Sequence, residues 1–246
     1  MNFIENVGQY VLFLNRVFSK PERGRVFFTQ IIKEIHKLGV NSVGIVAIIS
    51  VFMGAVISLQ TAYNLVNPLL PDYLVGYTTR ESMILEFSST IVGLILAGKV
   101  GSNIASEIGS MRVTEQIDAL EIMGVNSASY LILPKIIAAV FINPFLYVLS
   151  VFLGITGGLF ASYMAGTVSI TDFIYGVQFG LIPYYITYSL IKTLVFAFII
   201  TSIPSFYGYY VSGGALEVGK ASTKAVVNSS ILILLANLIL TQMLLK

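Results

Sequence analysis

Long apolar stretches alternate with short polar segments along this chain. A helix needs about 20 apolar residues to cross the hydrocarbon core of a bilayer, and the gaps between charged residues delimit five such stretches. We therefore predict transmembrane helices over residues 43–65, 86–105, 136–165, 183–204 and 225–245. The predicted fold class is an all-α integral membrane protein in which residues 1–246 form a single domain. Gly154 and Gly158 form a small-xxx-small pair, which favours close packing of the third span against another helix.

The segment before the first span has the pattern of amphipathic helices. Apolar residues recur with helical spacing from Phe3 to Phe18, and they recur again from Phe27 to Leu38 after a break at Pro21. Helices with one apolar and one polar face lie in the membrane interface instead of crossing it. We predict two interfacial helices within residues 1–38.

Composition excludes a soluble protein and several classes of site. Hydrophobic residues make up 56% of the chain and charged residues 11%, whereas a soluble domain has about 25% charged residues. The chain has no cysteine and one histidine, His36, so we predict no disulfide, no metal site and no catalytic triad. A formal net charge of +2 is too small for a nucleic-acid-binding protein.

The distribution of basic residues predicts the orientation. Cytoplasmic loops of membrane proteins are enriched in lysine and arginine. With the N-terminus in the cytoplasm, ten basic residues fall inside and only Arg80 and Lys246 fall outside. The ten are Arg16, Lys20, Arg23, Arg25, Lys33, Lys37, Arg112, Lys135, Lys220 and Lys224. The sequence therefore predicts an N-in/C-out protein.

A glycine-rich segment at residues 214–221, GALEVGKA, is similar to a phosphate-binding P-loop. Ala221 stands where that motif needs a hydroxyl group for magnesium, and no predicted strand precedes the segment. We interpret it as a turn before the fifth span, so the chain has no predicted nucleotide site of its own.

The polar segment 106–126 between the second and third spans carries four acidic residues and one arginine. Thr114 is the predicted N-cap of a short helix, and Gly124 is the predicted C′ residue just past its end. The candidate contact residues on this helix are Thr114, Glu115, Gln116, Asp118, Leu120, Glu121 and Met123. Composition leaves two interpretations open, a solvated connecting helix and a docking helix for a cytoplasmic partner.

Three ionisable side chains fall in or near the predicted spans: Glu86, Lys99 and Lys192. A charge at the bilayer centre costs about 2.5–3.5 kcal/mol on insertion scales. Lys192 lies near the middle of its span, so it needs a compensating partner or a polar cavity. The amide of Gln60 is a further polar group within a span, for which a hydrogen bond between helices is the simplest role.

Four segments carry a resemblance to a known family. AGKVGSNIASEIGSMRVTEQIDALEIMGVN at residues 97–126 resembles the long signature of the MlaE permeases. LIKTLVFAF at 190–198, ASTKAVVNSSI at 221–231 and VFMGAVISLQ at 51–60 resemble shorter motifs of the same family. The resemblance extends over nearly the whole chain.

The resemblance implies a permease subunit of an ABC transporter that moves phospholipid, or a related lipid, between bacterial envelope membranes. It implies a location in the inner membrane and a second copy of the chain as dimer partner. It also implies two cytoplasmic ATPase subunits, which bind the ATP and magnesium, and a periplasmic ring of MCE-domain proteins. The permease itself is then non-catalytic and has no cofactor. The segment from Thr114 to Gly124 corresponds to the family's coupling helix.

A lipid cavity at the dimer interface is also implied, and we assign Glu86, Lys192 and Gln60 to it. Glu86 and Lys192 match a family glutamate and a family lysine. The arginine and the Gly-Pro break that often flank the glutamate are missing here, where the sequence is Leu85-Glu86-Phe87-Ser88-Ser89. Two arrangements are possible, and we predict that Lys192 faces the cavity and contacts a lipid headgroup or a bound anion. If Glu86 and Lys192 touch, they form a structural salt bridge, and if they lie apart, the lysine is free for a phosphate.

Two rival functions belong to other classes. A stand-alone secondary transporter of a small amphipathic substrate needs a coupling-ion site, usually in broken helices at the membrane midplane. A membrane-embedded lipid enzyme needs a nucleophile with a base or a pair of carboxylates, and the single histidine disfavours it.

Overall fold

The computed structural model describes residues 3–19, 24–65 and 70–245, and within these ranges the chain forms helices and short turns without a β-strand. The α-helices are α1 (Phe3–Phe18), α2 (Gly24–Glu34), α3 (Asn41–Asn64), α4 (Tyr73–Ser82), α5 (Val92–Leu96), α6 (Ser102–Val113), α7 (Gln116–Ile122), α8 (Ser127–Met164), α9 (Ile170–Gln178), α10 (Pro183–Tyr209) and α11 (Ala215–Leu244). Wider π-helical segments join several of them, at Ile35–Val40, Met83–Ile91 and Ala97–Gly101.

In the described part of the chain, five helices are long and apolar enough to cross a membrane, which confirms the predicted number of spans. They are Phe27–Asn64, Tyr73–Val113, Ser127–Met164, Pro183–Tyr209 and Ala215–Leu244. Each consists of one α-helix or of α-helical and π-helical segments in series. The chain is therefore a multi-pass, all-helical membrane protein.

The helices extend beyond the limits taken from charge gaps. The second long helix begins at Tyr73 instead of near Glu86, because the charge of Arg80 is buried and neutralised inside the helix. The second predicted interfacial helix is continuous with the first span, since π-helical turns at Ile35–Val40 join α2 to α3 without a break. The predicted break at Pro21 lies outside the described residues. α1 does form the predicted amphipathic helix.

Contacts divide the chain into two units. The first comprises Met1–Asn41, Leu94–Ile142 and Leu194–Leu238. In it α1 packs on α10. Phe13 and Val17 of α1 are fully buried, and the ring of Phe13 contacts the rings of Phe206 and Tyr209. The hydroxyl of Tyr10 donates a hydrogen bond of 2.7 Å to Ser202. These contacts fix the N-terminal helix to the unit.

The second unit comprises Ser42–Gly93, Asn143–Thr193 and Ile239–Lys246. In it α3 and α8 approach so closely that a Cβ on Gly54 would lie 1.8 Å from the carbonyl oxygen of Gly154. Ser50 donates a hydrogen bond of 2.7 Å to Ser150 along the same contact. The predicted small-xxx-small pair therefore packs as expected.

Candidate functional site

Lys192 and Glu86 form an ion pair. The Lys192 Nζ atom lies 3.0 Å from Glu86 Oε1. It also donates to the carbonyl oxygen of Leu85 at 2.9 Å and to the hydroxyl of Tyr188 at 3.1 Å. An ammonium group has three N–H donors, so these three acceptors satisfy it completely. Of the two arrangements, the structure adopts the salt bridge, which differs from the predicted contact of Lys192 with a lipid headgroup.

The two members of the pair differ in exposure. The side chain of Lys192 is 0% exposed, whereas that of Glu86 is 42% exposed. Burial of an ammonium group is costly unless it is paired and hydrogen-bonded, and here the surrounding acceptors offset that cost. The carboxylate is therefore the accessible side of the pair, and the ammonium group is enclosed within the protein.

Local structure explains how the pair is held. Glu86 lies in the π-helical segment Met83–Ile91, and Thr90 donates a hydrogen bond of 3.0 Å to its Oε2 atom. Ser189 ties α10 to this segment through a bond of 2.6 Å to the Ile84 carbonyl oxygen. Tyr188 precedes Lys192 by one helical turn, so the two side chains share a face. Its ring centroid lies 4.8 Å from the ammonium group. Widened turns of this type often occur at functional sites.

Gln60 and Lys99 do not join the hydrogen bonds of Lys192. Gln60 is exposed on α3. Lys99 lies in the π-helical segment Ala97–Gly101 and donates to the carbonyl oxygen of Asn41. The structure thus brings together two of the three residues that the sequence assigned to a lipid cavity.

The segment before the third span contains the short helix α7. The predicted N-cap at Thr114 is wrong, because its hydroxyl donates to the Ser110 carbonyl oxygen at 2.9 Å and Thr114 ends α6. Helix α7 instead follows Glu115, which adopts a left-handed conformation with φ 59°. Gly124, with φ 79°, ends the helix as predicted. The amides of Gly124 and Val125 close a Schellman motif by bonding Glu121 and Leu120.

Glu121 anchors α7 to the rest of its unit. Its Oε1 atom accepts hydrogen bonds from Arg16 at 2.7 Å, Ser127 at 2.8 Å and Tyr209 at 2.8 Å. Burial alone would raise the pKa of Glu121, but these hydrogen bonds and the charge of Arg16 outweigh it and lower the pKa below its usual value. Glu121 therefore links α7 to α1 and α10.

The remaining side chains of α7 divide into buried and exposed groups. Ile117 is fully buried beneath the helix, and Asp118 pairs with Arg112 at 2.6 Å. In contrast, Ile122 is 88% exposed and Met123 is 68% exposed. Two adjacent apolar side chains at the end of a short polar helix form a small protruding surface, which we call the α7 tip (Ile122 and Met123).

Arg80 is a buried charge whose role the sequence did not reveal. Its guanidinium group contacts Glu81 and donates to the carbonyl oxygens of Val177 and Phe179 at 2.8 and 2.9 Å. These carbonyls lie at the C-terminal end of α9, where a cation is favourable. In the sequence Arg80 lies in the polar run TTRES at residues 78–82, which the charge gaps place outside the predicted second span.

Lys135 is the centre of a second buried ionic cluster. It is 3% exposed and lies 2.7 Å from Glu34 and 3.0 Å from Glu107, which also pairs with Lys37 at 2.7 Å. Two lysines therefore face two glutamates. The cluster binds α2, α6 and α8 together, and sequence spacing gives no sign of it because its members are far apart along the chain.

Comparisons of the sequence with known proteins find a family and several relatives. Residues 31–243 match the model of a family described as "Permease MlaE". A "Probable ABC transporter permease protein" of Rickettsia bellii is 35% identical over 242 residues, which cover 98% of this chain and 93% of the relative. The "Intermembrane phospholipid transport system permease protein MlaE" of Haemophilus influenzae is 30% identical, with coverage of 98% and 97%. The chloroplastic protein TRIGALACTOSYLDIACYLGLYCEROL 1 of Arabidopsis thaliana is 29% identical, with coverage of 89% of this chain and 62% of the relative.

Proposed function

This chain belongs to the MlaE family of ABC transporter permeases, and from this premise we propose that it moves phospholipid between the inner and outer membranes of a bacterium. The observation that carries the proposal is the full-length similarity to the Haemophilus influenzae permease, whose name specifies intermembrane phospholipid transport. The apolar spans suit acyl chains, and among the described residues Lys192 is enclosed by its own acceptors. Apolar spans with a paired Lys192 suit the passage of a lipid better than the passage of an ion.

The lipid site that we propose includes the accessible edge of the Lys192–Glu86 pair, with Gln60 as a further polar group. The exposed carboxylate keeps this edge electrically neutral, because it balances the buried ammonium group. A lipid headgroup at this edge meets the exposed carboxylate of a pair that is neutral overall, so no net positive charge holds its phosphate and release is permitted. The proposed lipid cavity lies between two copies of the chain, since five spans are few to enclose a double-chain lipid.

The lipid that stays bound to the purified complex tests the cargo. We expect glycerophospholipid by mass spectrometry, and we expect Glu86→Gln to retain more of it, because removal of the carboxylate charge leaves the Lys192 charge unbalanced. The matched control is Glu81→Gln, which changes a glutamate paired with Arg80 and should leave lipid retention unchanged. Absence of glycerophospholipid from the wild-type complex would refute the proposed cargo.

Energy for transport is proposed to come from a separate cytoplasmic ATPase dimer, which binds the ATP and magnesium. The proposed docking element is α7, with the coupling residues Thr114, Glu115, Gln116, Asp118, Leu120, Glu121 and Met123. The α7 tip supports this proposal, because exposed apolar side chains on a polar helix suit a partner surface. Glu121 contributes by holding α7 in place, since its carboxylate is bonded within the permease.

Replacement of the α7 tip tests docking more cleanly than charge reversal, because Asp118 already pairs with Arg112. We expect the double variant Ile122→Ser/Met123→Ser to insert normally and to lose most of the co-purifying ATPase. Leu216→Ser is the matched control, since Leu216 is an equally exposed apolar residue at the start of α11. Equal ATPase recovery from all three proteins would rule out the α7 tip as the docking surface.

The remaining proposals concern assembly and location. We place the chain in the bacterial inner membrane, N-in/C-out, as a homodimer with a periplasmic MCE-domain ring on its outer side. Support comes from the ten inside and two outside basic residues and from the family resemblance. Native mass spectrometry that finds one copy of this chain per complex would refute the homodimer.

A further inference from the structure

Two adjoining cavities form a groove between α1, α10 and α11. The first has a volume of about 410 Å³ and the second about 240 Å³. Asn6, Phe206 and Tyr207 line both, so the cavities lie side by side. Sites for small ligands usually have volumes of about 300–1,000 Å³, and the groove as a whole falls in that range. It shares no residue with the Lys192–Glu86 pair or with α7.

One end of the groove is polar and cationic. Lys220 and Lys224 line it together with Glu217. Lys220 is already paired with Glu217 at 2.7 Å, whereas the ammonium group of Lys224 forms no ion pair within the described part of the chain. This end therefore carries one unbalanced positive charge. A phosphate diester, with its single negative charge, complements it.

A phenol at the junction of the two cavities adds a hydrogen-bond donor. The hydroxyl of Tyr207 accepts a bond of 2.9 Å from the Asn228 side chain. Its own proton then points to no acceptor among the described residues, and the hydroxyl is free to donate. A lipid that spans both cavities would place its glycerol ester region at this junction.

The other end of the groove is apolar. Val7 of α1, Ile203 and Phe206 of α10, and Leu232 of α11 line it. Val7 and Leu232 are both about half exposed, so this end is open at its side. No charged residue lines this cavity, and its apolar side chains suit a hydrocarbon chain.

We infer that this groove binds one anionic glycerophospholipid from the surrounding bilayer. Its phosphate lies at Lys224 and one acyl chain lies along Val7, Ile203 and Leu232. The unbalanced charge selects an anionic over a zwitterionic headgroup, and the apolar end selects a lipid over a free phosphate ion. A lipid in this position contacts α1, α10 and α11 at once and so fastens the N-terminal helix to the spans.

The chain has no tryptophan, so a single introduced tryptophan reports on its own surroundings. The full-length variant Leu232→Trp is reconstituted in bilayers of phosphatidylglycerol and phosphatidylcholine, with bromine on the acyl chains of one lipid at a time. Bromine quenches the fluorescence only of a nearby tryptophan. We expect an approximately five-fold preference for brominated phosphatidylglycerol, which is the ratio that one lysine near an anionic headgroup provides.

Three controls separate the groove from the general lipid surface. A Phe152→Trp variant, at an exposed position on α8, should show no preference between the two lipids. In the Leu232→Trp background, Lys224→Gln should abolish the preference, whereas Lys33→Gln removes an exposed lysine outside the groove and should preserve it. Added inorganic phosphate should not reduce quenching by brominated phosphatidylglycerol.

Four results would overturn the inference. They are equal quenching by both lipids at Leu232→Trp, an equal preference at Phe152→Trp, a preference that survives Lys224→Gln, and displacement by inorganic phosphate, which would indicate an ion site only. Folding of each variant is checked by its elution as a single species before reconstitution.

Discussion

At the scale of residues, the Lys192–Glu86 pair explains how a charge is kept inside an apolar helix. The ammonium group is fully enclosed and makes three hydrogen bonds, whereas the carboxylate is partly exposed. Loss of one partner from a buried pair costs about 3–5 kcal/mol when the remaining charge has no other compensation. The cost should therefore depend on which partner is removed.

Removal of the glutamate should be more harmful than removal of the lysine. Glu86→Leu leaves the enclosed ammonium group without its counter-charge, and we expect a loss of about 3–5 kcal/mol in stability. Lys192→Met leaves a carboxylate that already has access to the surface, so we expect a smaller loss. Thermal unfolding in detergent, followed by the loss of monodisperse protein, measures the difference.

The double variant Glu86→Leu/Lys192→Met serves as the control for the pair. Since it has neither charge, it should be more stable than Glu86→Leu alone. Glu86→Gln keeps a hydrogen-bond acceptor for Lys192 but removes the counter-charge, so its loss of stability should be smaller than that of Glu86→Leu. A Lys192→Met protein that is less stable than Glu86→Leu would contradict the proposed asymmetry.

The sequence predicted part of this arrangement. Lys192 stood out because a cation in the middle of a span needs compensation, and the resemblance supplied Glu86. Tyr188 was also within reach of sequence reasoning, since it precedes Lys192 by four residues. The π-helical turns around Glu86 present the Leu85 carbonyl oxygen to Lys192. They depend on tertiary packing, so the local sequence does not predict them.

At the scale of elements, Glu121 couples the short helix α7 to α1. Arg16 of α1 bonds its carboxylate, and Asn126 donates to the carbonyl oxygens of Arg16 and Ser19 at 2.9 and 2.8 Å. These bonds fasten α7 to the N-terminal helix. Sequence reasoning placed Glu121 among the outward contact residues because its helical face was acidic, but it did not foresee a partner located 105 residues away.

The link through Glu121 should weaken in acid. Because its pKa is lowered in the folded protein, its contribution is complete above the unfolded pKa of about 4.3 and is lost as pH falls through the folded pKa. At pH 6 we expect the wild-type protein to have a higher thermal midpoint than Glu121→Gln. We expect this difference to shrink towards pH 3.5. A difference that is constant or grows in acid would contradict this role.

The contact between α3 and α8 depends on a residue without a side chain. A methyl group on Gly54 would collide with the backbone of Gly154, and backbone cannot move aside as a flexible side chain can. The sequence predicted a close contact from Gly154 and Gly158 but not its partner, since the choice of the facing helix is set by the assembled fold.

Gly54→Ala should therefore destabilise the second unit by about 1–3 kcal/mol, the usual cost of overpacking. Gly44→Ala is the matched control on the same helix, because its added methyl group meets no atom within 4 Å. It should be neutral or stabilising, by at most about 1 kcal/mol. The comparison uses thermal midpoints of both variants, and equal effects would show that the close approach does not limit stability.

At the scale of the whole molecule, hydrophobic stretches predicted the number of spans correctly. The hydrocarbon core of the bilayer requires each span to be an apolar helix, so hydropathy along the sequence reports the spans directly. Their limits were predicted less well. Arg80 and Lys135 are buried and paired, so gaps between charges underestimated the lengths of the helices. Which helices contact which could not be predicted, since the apolar faces of the spans carry little directional pattern.

The N-in/C-out orientation makes a further prediction. The chain has no cysteine, so a single introduced cysteine is a unique target for a membrane-impermeant maleimide. Ile122→Cys and Ile170→Cys replace two exposed isoleucines, one between the second and third spans and one between the third and fourth. In intact spheroplasts Ile170→Cys should react and Ile122→Cys should not, with the reverse in inverted vesicles. The opposite pattern would mean C-in/N-out.

ATP-driven transfer of phospholipid in a reconstituted complex tests the central proposal most directly. Proteoliposomes would contain the permease, its ATPase and the MCE-domain partner, with fluorescent phospholipid in the donor membrane and unlabelled acceptor vesicles. We expect transfer that needs ATP, stops with a catalytically inactive ATPase and falls strongly in Ile122→Ser/Met123→Ser, whereas Leu216→Ser transfers at the wild-type rate. Phospholipid transfer that is the same with and without ATP, or with active and inactive ATPase, would contradict the account.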